Sequence, residues 1–258
     1  MRRALLCLLL LAAGPAPAPT RGHDALRSGH QDASPEVQAM QDDDTANPAM
    51  LWVQQGEALW DQPAGSSGRS CAGCHGGIAF MRGVAVRYPA YDPALGRPVL
   101  LEQRVNQSRT AHQGAPPFEA DNLLAMTALI GLQSRGMPLS VDTAGPAARF
   151  AAAGEALFRT RMGQLNLSCA QCHGDLGHDG LASQRLGGAH IPQGHPNGYP
   201  LYRLEWQSMG SLYRRLRNCM VGVRAEPFGA DSAERVALEF YLAARANGLP
   251  VETPGVRP

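Results

Sequence analysis

Two short segments of this 258-residue chain carry the same pattern of cysteine and histidine. Residues 71–75 read Cys-Ala-Gly-Cys-His, and residues 169–173 read Cys-Ala-Gln-Cys-His. This spacing is typical of c-type haem attachment, because two thiols add to the vinyl groups of one porphyrin and the histidine can then bind the iron from one face. Zinc is the alternative, but zinc ribbons do not need a histidine directly after the second cysteine of both pairs. We predict two covalently bound haem c groups, with thioethers from Cys71, Cys74, Cys169 and Cys172 and iron ligands His75 and His173.

Another cysteine, Cys219, is left over from the two motifs and from Cys7 in the apolar N-terminal run. It follows a run of arginines, of which Arg215 lies four residues earlier and therefore on the same face of a helix. A guanidinium there favours the thiolate and can hold an oxyanion by paired hydrogen bonds. The alternative is a solvated basic face with Cys219 as a buried apolar side chain. The odd cysteine count favours a functional thiol, which we predict to be the second ligand of the second haem iron.

The first half offers no thiol at the matching position. With a shift of 111 positions, Arg104 corresponds to Arg215 and Ser108 to Cys219. A neutral hydroxyl binds iron poorly, so the first haem needs another partner or has an open site. We predict His112, one helical turn past Ser108, as its distal ligand. The competing candidates are Met81, Met126 and Met137, and three histidines after the second motif are predicted to line a loop: His178, His190 and His195.

The second half of the chain repeats the first, which predicts a duplicated domain. Gly-Glu-Ala-Leu-Trp at 56–60 is answered by Gly-Glu-Ala-Leu-Phe at 154–158, and this shift of 98 positions also relates the haem cysteines. Each copy opens with a helix that contains a glycine, Gly56 or Gly154, at a cost of about 1 kcal/mol against alanine. A close crossing with the last helix of the same copy would explain these glycines.

Each copy also ends in a predicted helix. Asp121 is the predicted N-cap of a helix over 122–135 that Gly136 ends, and Asp231 with Glu234 forms a predicted capping box for a helix that Gly248 ends. First and last helices that cross with haem between them are the cytochrome c arrangement. The predicted fold class is therefore all-α, with two tandem cytochrome c-like domains related by internal duplication and an extended N-terminal arm.

The N-terminus has the pattern of a secretory signal, with Arg2 and Arg3 before an apolar run too short to span a bilayer. The arm carries one short helix, which Ser34 caps and Pro35 begins. The predicted divisions are a signal peptide over 1–22, an arm over 23–46, a first domain over 47–138, a linker over 139–146 and a second domain over 147–258.

Composition limits the classes of partner. The net charge of +1 gives no general case for nucleic acid or membrane binding. Hydrophobic residues make up 44% of the chain but aromatic residues only 6%, and buried porphyrin would supply the missing flat apolar mass. No further segment is long and uncharged enough to predict a membrane span.

Several longer segments carry a resemblance to a known family. In the second half they are residues 166–173, which include the second haem motif, residues 192–207, the arginine run that ends at Cys219, residues 223–227 and residues 247–250. Near the N-terminus they are residues 40–44 and 50–53. Together they closely resemble the SoxA family, the dihaem subunits of the SoxAX cytochromes of sulfur-oxidising bacteria.

The resemblance implies a periplasmic L-cysteine S-thiosulfotransferase, which joins thiosulfate to a cysteine of a SoxYZ-like carrier while electrons leave through haem. It implies a monohaem SoxX-like partner. Cys219 matches the family's haem-ligating cysteine persulfide and Arg215 its substrate-binding arginine, whereas Ser108 departs from the cysteine usual in the first domain. The alternative is a dihaem electron carrier or ligand sensor without chemistry at Cys219. The arginine cluster favours the enzyme, because a simple carrier needs no anion site beside a sulfur ligand.

Overall fold

The computed structural model of the chain describes residues 26–174, 185–186 and 189–258. Residues 185–186 and 189–190 are described by their backbone alone. The predicted signal peptide over 1–22, His178 and the side chain of His190 lie outside the described part.

Helices form most of the regular structure, so the mainly helical part of the predicted fold class is confirmed. Short turns of 3-10 helix cover Ile78–Met81, Ala85–Arg87 and Gly145–Ala147, and a π-helical turn covers Arg109–Gln113. The α-helices in chain order are α1 (Pro35–Asp42), α2 (Met50–Asp61), α3 (Ala72–His75), α4 (Leu101–Ser108), α5 (Ala120–Leu132), α6 (Ala148–Arg159), α7 (Cys169–His173), α8 (Leu212–Gly222) and α9 (Ala233–Arg245).

The chain also contains short strands that the predicted all-α class did not include. No strand in the described ranges is longer than three residues, too short for an alternating pattern to show in the sequence. The strands β1 and β2 form an antiparallel hairpin, β3 and β4 form a second, and β6-β5-β7 is a three-stranded sheet in which β7 joins β5 in parallel. Their bounds are β1 (Ala90–Asp92), β2 (Arg97–Val99), β3 (Arg185–Leu186), β4 (Ala189–His190), β5 (Leu201–Arg203), β6 (Ser208–Gly210) and β7 (Gly255–Arg257).

The two halves of the chain use the same order of elements. The series α2, α3, β1, β2, α4, α5 recurs as α6, α7, β5, β6, α8, α9. The hairpins also keep the same register, since Ala90 pairs with Val99 and Leu201 pairs with Gly210. This repeat places Asp92 of β1 and Arg203 of β5 at equivalent positions, which matters for the site described below.

Both predicted helix crossings are present. A Cβ added at Gly56 of α2 would lie 2.5 Å from the carbonyl oxygen of Ala125 in α5. A Cβ added at Gly154 of α6 would lie 2.1 Å from the carbonyl oxygen of Ala237 in α9. Only glycine allows the backbones to approach this closely, so the helix-propensity cost of each glycine is offset by packing.

The predicted caps of the two closing helices were wrong by one or two residues. The N-cap of α5 is Glu119 rather than Asp121, and the N-cap of α9 is Ser232, whose hydroxyl accepts a hydrogen bond from the Arg235 amide, rather than Asp231. Adjacent acids and serines are all plausible caps in a sequence, and the preceding backbone decides which residue takes the extended conformation. Gly136 and Gly248 both have positive φ after their helices, as predicted stops should.

The two halves join through the segments that follow α5 and α9. The Gly136 amide donates to the Val251 carbonyl, and the Gly248 amide donates to the Leu139 carbonyl in an equivalent bond from the other half. The Leu139 amide in turn donates to Leu249. These residues share an apolar cluster that consists of Val86, Leu139, Ala246, Leu249 and Val251.

An ion cluster of three side chains also links the halves. Arg235 of α9 lies 2.8 Å from Glu239 of the same helix and 3.1 Å from Glu102 of α4. Burial raises the pKa of Glu239 to about 7, although Arg235 beside it acts in the opposite direction. The charge balance of the interface therefore depends on whether Glu239 carries its proton.

The arm packs on the second half of the chain. Ser34 caps α1 as predicted, and α1 lies against β7. Gln41 of α1 accepts from the Val256 amide, and Asn47, the residue after the arm, donates from its side-chain amide to the Pro254 carbonyl. The arm is thereby held against β7, which pairs with β5.

Candidate active site

A cavity of about 890 Å³ lies beside the second Cys-x-x-Cys-His motif. This volume is near the upper end of the range for cofactor and ligand sites, roughly 300–1,000 Å³. Apolar side chains form much of its wall, including Phe158, Leu216, Leu238 and Leu242. The arm forms another part, residues 31–35, so the cavity is closed by a segment far away in the sequence. A flat apolar group the size of haem fits this enclosure.

His173 is oriented for iron binding. Its Nδ1 atom lies 2.8 Å from the carbonyl oxygen of Pro192 and donates to it, which leaves Nε2 free as a ligand. Burial lowers the pKa of His173, so the neutral ring that a metal needs is favoured. The guanidinium of Arg245 donates to the His173 carbonyl at 2.8 Å and fixes the end of α7.

Three thiols line the same cavity: those of Cys169, Cys172 and Cys219. Burial and, to a smaller extent, the neighbouring Cys219 raise the pKa of Cys169 to about 11. Burial and Cys219 also raise the pKa of Cys172. The structure thus brings Cys219 of α8 to the haem motif of α7, as the prediction of a shared site requires.

Helix α8 presents Arg215 and Cys219 to the cavity. Ser211 begins this helix, because its hydroxyl accepts from the Arg214 amide. The four-residue spacing then puts Arg215 and Cys219 on one face, and both line the cavity. Arg214 and Arg217 are exposed on the same helix. Of these arginines, Arg214 and Arg217 therefore face solvent, whereas Arg215 faces the cavity.

A further arginine, Arg203 of β5, also lines the cavity. Its Nε lies 2.9 Å from Glu205, and Arg215 lies 3.7 Å from the same carboxylate. Burial lowers the pKa of Arg203, and the charge of Arg215 lowers it further. Tyr199 is buried beside this pair, and burial raises its pKa to about 12. Positive charge is concentrated next to the Cys219 thiol.

His195 is the one histidine of the loop whose side chain the structure describes at the cavity wall. Its Nε2 lies 3.0 Å from Gln193 Oε1, and its Nδ1 is buried without a hydrogen-bond partner. Burial lowers its pKa to about 3, with smaller contributions from Arg245 and His173. A neutral His195 therefore belongs to the cavity wall near His173 rather than to the solvent face.

The first motif has a more open setting. Cys71 is half-buried, whereas Cys74 and His75 are exposed. Trp60 donates from Nε1 to the Gly76 carbonyl at 3.0 Å, and its ring centre lies 5.9 Å from that of His75. Partly buried apolar residues pack beside the motif on the first core, among them Ile78, Met81, Val84, Leu101 and Val105.

The candidates for the distal ligand of the first haem lie in different settings. Ser108 is half-buried at the end of α4, and His112 is exposed in the π-helical turn that follows. Met126 is fully buried in the first core, and Met137 packs in the cluster between the halves. The prediction of His112 as ligand stays a prediction.

Sequence reasoning missed four contributors to the site: the Pro192 carbonyl, Arg203, Tyr199 and the arm. Arg203 could have been found, since the shift of 111 positions maps Asp92 onto it. The others depend on contacts between distant segments, such as the bond from the Arg27 amide to the Gln193 side chain. A single sequence carries no local signal for such contacts.

Among residues 26–174, 185–186 and 189–258, no group of three or more His, Cys, Asp or Glu side chains is arranged to hold a metal ion. No helix in these ranges is long and apolar enough to cross a bilayer.

Comparison with known proteins gives consistent matches over most of the chain. The sequence model described as SoxA/TsdA, cytochrome c domain, matches residues 55–139 and 153–251. The L-cysteine S-thiosulfotransferase subunit SoxA of Rhodovulum sulfidophilum is 40% identical over 248 residues, which cover 93% of this chain and 85% of that protein. The subunit of the same name from Pseudaminobacter salicylatoxidans is 39% identical over 226 residues, 86% of this chain and 77% of that protein. The crystal structure of SoxXA from P. pantotrophus contains a chain with a TM-score of 0.85 and 38% identity, covering 90% of this chain and 87% of that one.

Proposed function

The chain belongs to the SoxA/TsdA cytochrome c family, and on that basis we propose that it is a dihaem cytochrome that oxidatively joins thiosulfate to the cysteine of a carrier protein. We propose that its halves are tandem cytochrome c domains of common origin, each with one covalent haem. The observation that carries the proposal is the position of Cys219 and Arg215 together on the wall of the cavity beside His173.

The second haem would be held by four residues. Cys169 and Cys172 would form the thioethers, His173 would bind the iron through Nε2, and Cys219 would be a second iron ligand. The hydrogen bond from His173 to Pro192 supports this assignment, because it fixes the tautomer with the free Nε2. In the first half, Cys71, Cys74 and His75 would have the corresponding roles.

Bound haem supplies one-electron acceptors, and the two groups in one chain can together take up two electrons. The overall reaction is R–S⁻ + ⁻S–SO₃⁻ → R–S–S–SO₃⁻ + 2 e⁻, where R–S⁻ is the carrier thiolate. One sulfur–sulfur bond forms, the two joined sulfur atoms are oxidised, and charge is conserved. The chain's task is to hold two anionic sulfur groups together while the electrons leave.

Cys219 divides this reaction into two steps. Its thiolate first bonds to the outer sulfur of thiosulfate and forms Cys219–S–S–SO₃⁻ with release of two electrons. The carrier thiolate then attacks that outer sulfur, and the Cys219 thiolate leaves. The same two steps hold when the attacking atom is the terminal sulfur of a Cys219 persulfide, which we propose for the resting protein.

Arg215 would bind the sulfonate end of thiosulfate. A guanidinium offers two parallel N–H donors to two sulfonate oxygens, which orients the ligand as well as attracting it. Because Arg215 lies one helical turn from Cys219, a bound sulfonate would leave the outer sulfur facing the thiol.

We propose that the protein acts in the periplasm with a monohaem SoxX-like subunit and a SoxYZ-like carrier. The likeness to a SoxXA chain over 90% of this chain supports the first partner. The names of the curated relatives support thiosulfate transfer to cysteine.

The experiment that tests the function uses the holoprotein, purified with any monohaem subunit that accompanies it. It is mixed with thiosulfate, a carrier cysteine and an oxidised electron acceptor, and the carrier is weighed by intact mass spectrometry. We expect a carrier heavier by one thiosulfate-derived S–SO₃ group, with two electrons delivered per product. If thiosulfate reduces the haem but no carrier product forms, the protein is a dihaem electron carrier rather than a thiosulfate-conjugating enzyme.

The haem count and the ligand of the first haem have their own tests. The intact mass of the exported protein should exceed that of the apo-chain by two haem groups. We propose His112 as the distal ligand of the first haem, so His112→Ala should change the absorption and resonance spectra of that haem alone. Unchanged spectra would reject His112.

A further inference from the structure

The two halves of the chain differ in charge at one pair of equivalent positions. In the first half, Asp92 at the end of β1 forms an ion pair with Arg104 of α4. In the second half, Arg203 and Arg215 stand at these two positions. The carboxylate that neutralises the helix arginine in the first half is thus replaced by a second guanidinium beside Cys219.

The surroundings of Arg203 do not fully compensate its charge. Its side chain is only 14% exposed, against 35% for Arg215, and Nε makes no aligned hydrogen bond although Glu205 is 2.9 Å away. Glu205 lies outside the cavity lining and is 47% exposed, where its attraction is screened by water. Two arginines therefore share one exposed carboxylate.

The opposite side of Arg203 is fixed by packing. Its guanidinium lies 5.2 Å from the ring centre of Trp206, and Arg214 lies 4.2 Å from the same ring. Strand pairing on both edges of β5, with Ser208 and Arg257, holds the backbone. Arg257, a third arginine at the cavity, has a partner in Glu252. Within the described part of the wall, Arg203 and Arg215 are the arginines best placed to receive an anion.

From this geometry we propose that Arg203 and Arg215 together form the binding site for the sulfonate group of thiosulfate, with Arg203 as a second substrate-binding residue. The inference rests on the proposed function and names how that site recognises its substrate. A sulfonate has three oxygens, and two planar guanidinium groups supply enough donors for all of them. The anion displaces the Glu205 carboxylate from the two arginines, because the Glu205 side chain is 47% exposed and can turn towards solvent.

The experiment measures thiosulfate conjugation by the holoprotein and equilibrium binding of thiosulfate to the oxidised form. Arg203→Gln should raise KM and Kd roughly 10- to 100-fold, the effect of a lost charge-assisted hydrogen bond, with kcat nearly unchanged. Arg203→Lys should recover part of the loss, because it restores the charge without the planar fork. Arg203→Asp should be the weakest binder, because it recreates the ion pair of Asp92 with Arg104 and occupies Arg215.

Arg217→Gln is the matched control, since it removes the same charge from an exposed position of α8 outside the cavity lining. Its KM should stay close to that of the wild type. Equal increases of KM in Arg203→Gln and Arg217→Gln would overturn the inference, because only the general field would then matter.

Unchanged KM in Arg203→Gln together with an altered potential of the second haem would also overturn it, because Arg203 would then serve the haem carboxylates. These results differ from failure of the proposed function itself, in which the wild type forms no conjugate. Absorption spectra and unfolding midpoints of all variants establish that the site is folded.

Discussion

Arg215 and Cys219 act at the scale of single side chains, one helical turn apart on α8. Arg215→Ala should lower kcat/KM for thiosulfate roughly 10- to 100-fold, because a charge-assisted contact with the sulfonate is lost while Cys219 remains. The absorption spectrum of the second haem should stay nearly intact. Arg215→Lys should recover only part of the activity.

Arg217→Ala provides the control for that substitution. Arg217 is exposed on α8 and lies outside the cavity lining. We expect a large loss of kcat/KM for thiosulfate in Arg215→Ala and little change in Arg217→Ala. Similar losses at both positions would mean that the helix charge, rather than a direct contact, assists thiosulfate.

Single residues were predictable from the sequence where their chemistry is local. The attachment motifs need fixed spacing, and the pairing of Arg215 with Cys219 follows from one helical turn. The Pro192 carbonyl that orients His173 was not predictable, because nineteen residues separate the two and no local spacing links them. Functional residues at a fixed spacing can be recognised in a sequence. Hydrogen-bond partners that a distant segment supplies to those residues cannot.

At the scale of elements, the crossing of α6 and α9 depends on Gly154. Gly154→Ala should lower the free energy of unfolding by about 2 kcal/mol or more, because its Cβ would lie 2.1 Å from a backbone oxygen that side-chain motion cannot relieve. Thermal unfolding of the holoprotein measures the change, which should be several degrees.

Gly229→Ala is the control for the crossing. A Cβ at Gly229 would meet its nearest atom at 3.8 Å, an ordinary contact. A Gly154→Ala protein as stable as Gly229→Ala would show that α6 and α9 do not approach as closely as described.

The ion cluster between α4 and α9 predicts a dependence of stability on pH. The folded-state pKa of Glu239 is raised to about 7 by burial, above its ordinary value of 4.5. The folded form therefore holds this proton more tightly than the unfolded chain, and the stability it contributes is present below pH 4.5 and lost as the pH rises towards 7. The unfolding free energy should fall by up to about 1.4 kcal/mol per pH unit in this window.

Glu239→Gln removes the Glu239 titration and leaves that of Glu102, whose pKa burial also raises, so the wild-type-minus-variant difference in unfolding free energy should show the part of the pH slope that Glu239 causes. Denaturant unfolding at several pH values measures it. Glu155→Gln is the control, since Glu155 is exposed on α6 and pairs with Arg159 at the same four-residue spacing. A wild-type-minus-Glu239→Gln difference that stays constant from pH 5 to 7 would contradict the burial argument.

Helices were predictable from the sequence where their apolar pattern is long. The residues at which the helices begin and end were not predictable. The glycine of each opening helix indicated a close crossing, and both crossings are present. The cap of α9 was misplaced because Asp231 and Ser232 are adjacent and both are capable caps, whereas Glu119 caps α5 without a side-chain capping bond that a sequence could reveal. The three-residue strands give no alternating pattern, and their sheet is completed by β7 from the far end of the chain.

At the scale of the whole molecule, one architecture occurs twice with different chemistry. The equivalent pairs are Asp92 with Arg104 in one half and Arg203 with Arg215 in the other, and Ser108 takes the place of Cys219. The second motif lines a large cavity, whereas His75 of the first is exposed. Under the proposed function, the sulfur–sulfur bond would form in the second half, and the first half would assist electron transfer.

The sequence repeat predicted this division in part, because the shift of 111 positions exposed the replacement of a thiol by a hydroxyl. It did not predict that residues 31–35 of the arm line the second cavity. The arm is held there by contacts such as the bond from the Val256 amide to Gln41, which spans 215 positions and has no local pattern in the sequence.

The proposed role of Cys219 is best tested by substitution of Cys219 and of the equivalent Ser108. Cys219→Ala and Ser108→Ala holoproteins are compared in the thiosulfate conjugation assay, after intact mass has established that both haems are attached. We expect no conjugate from Cys219→Ala and a rate close to that of the wild type from Ser108→Ala. A Cys219→Ala protein that retains both haems and conjugates thiosulfate at the wild-type rate would contradict the proposed role.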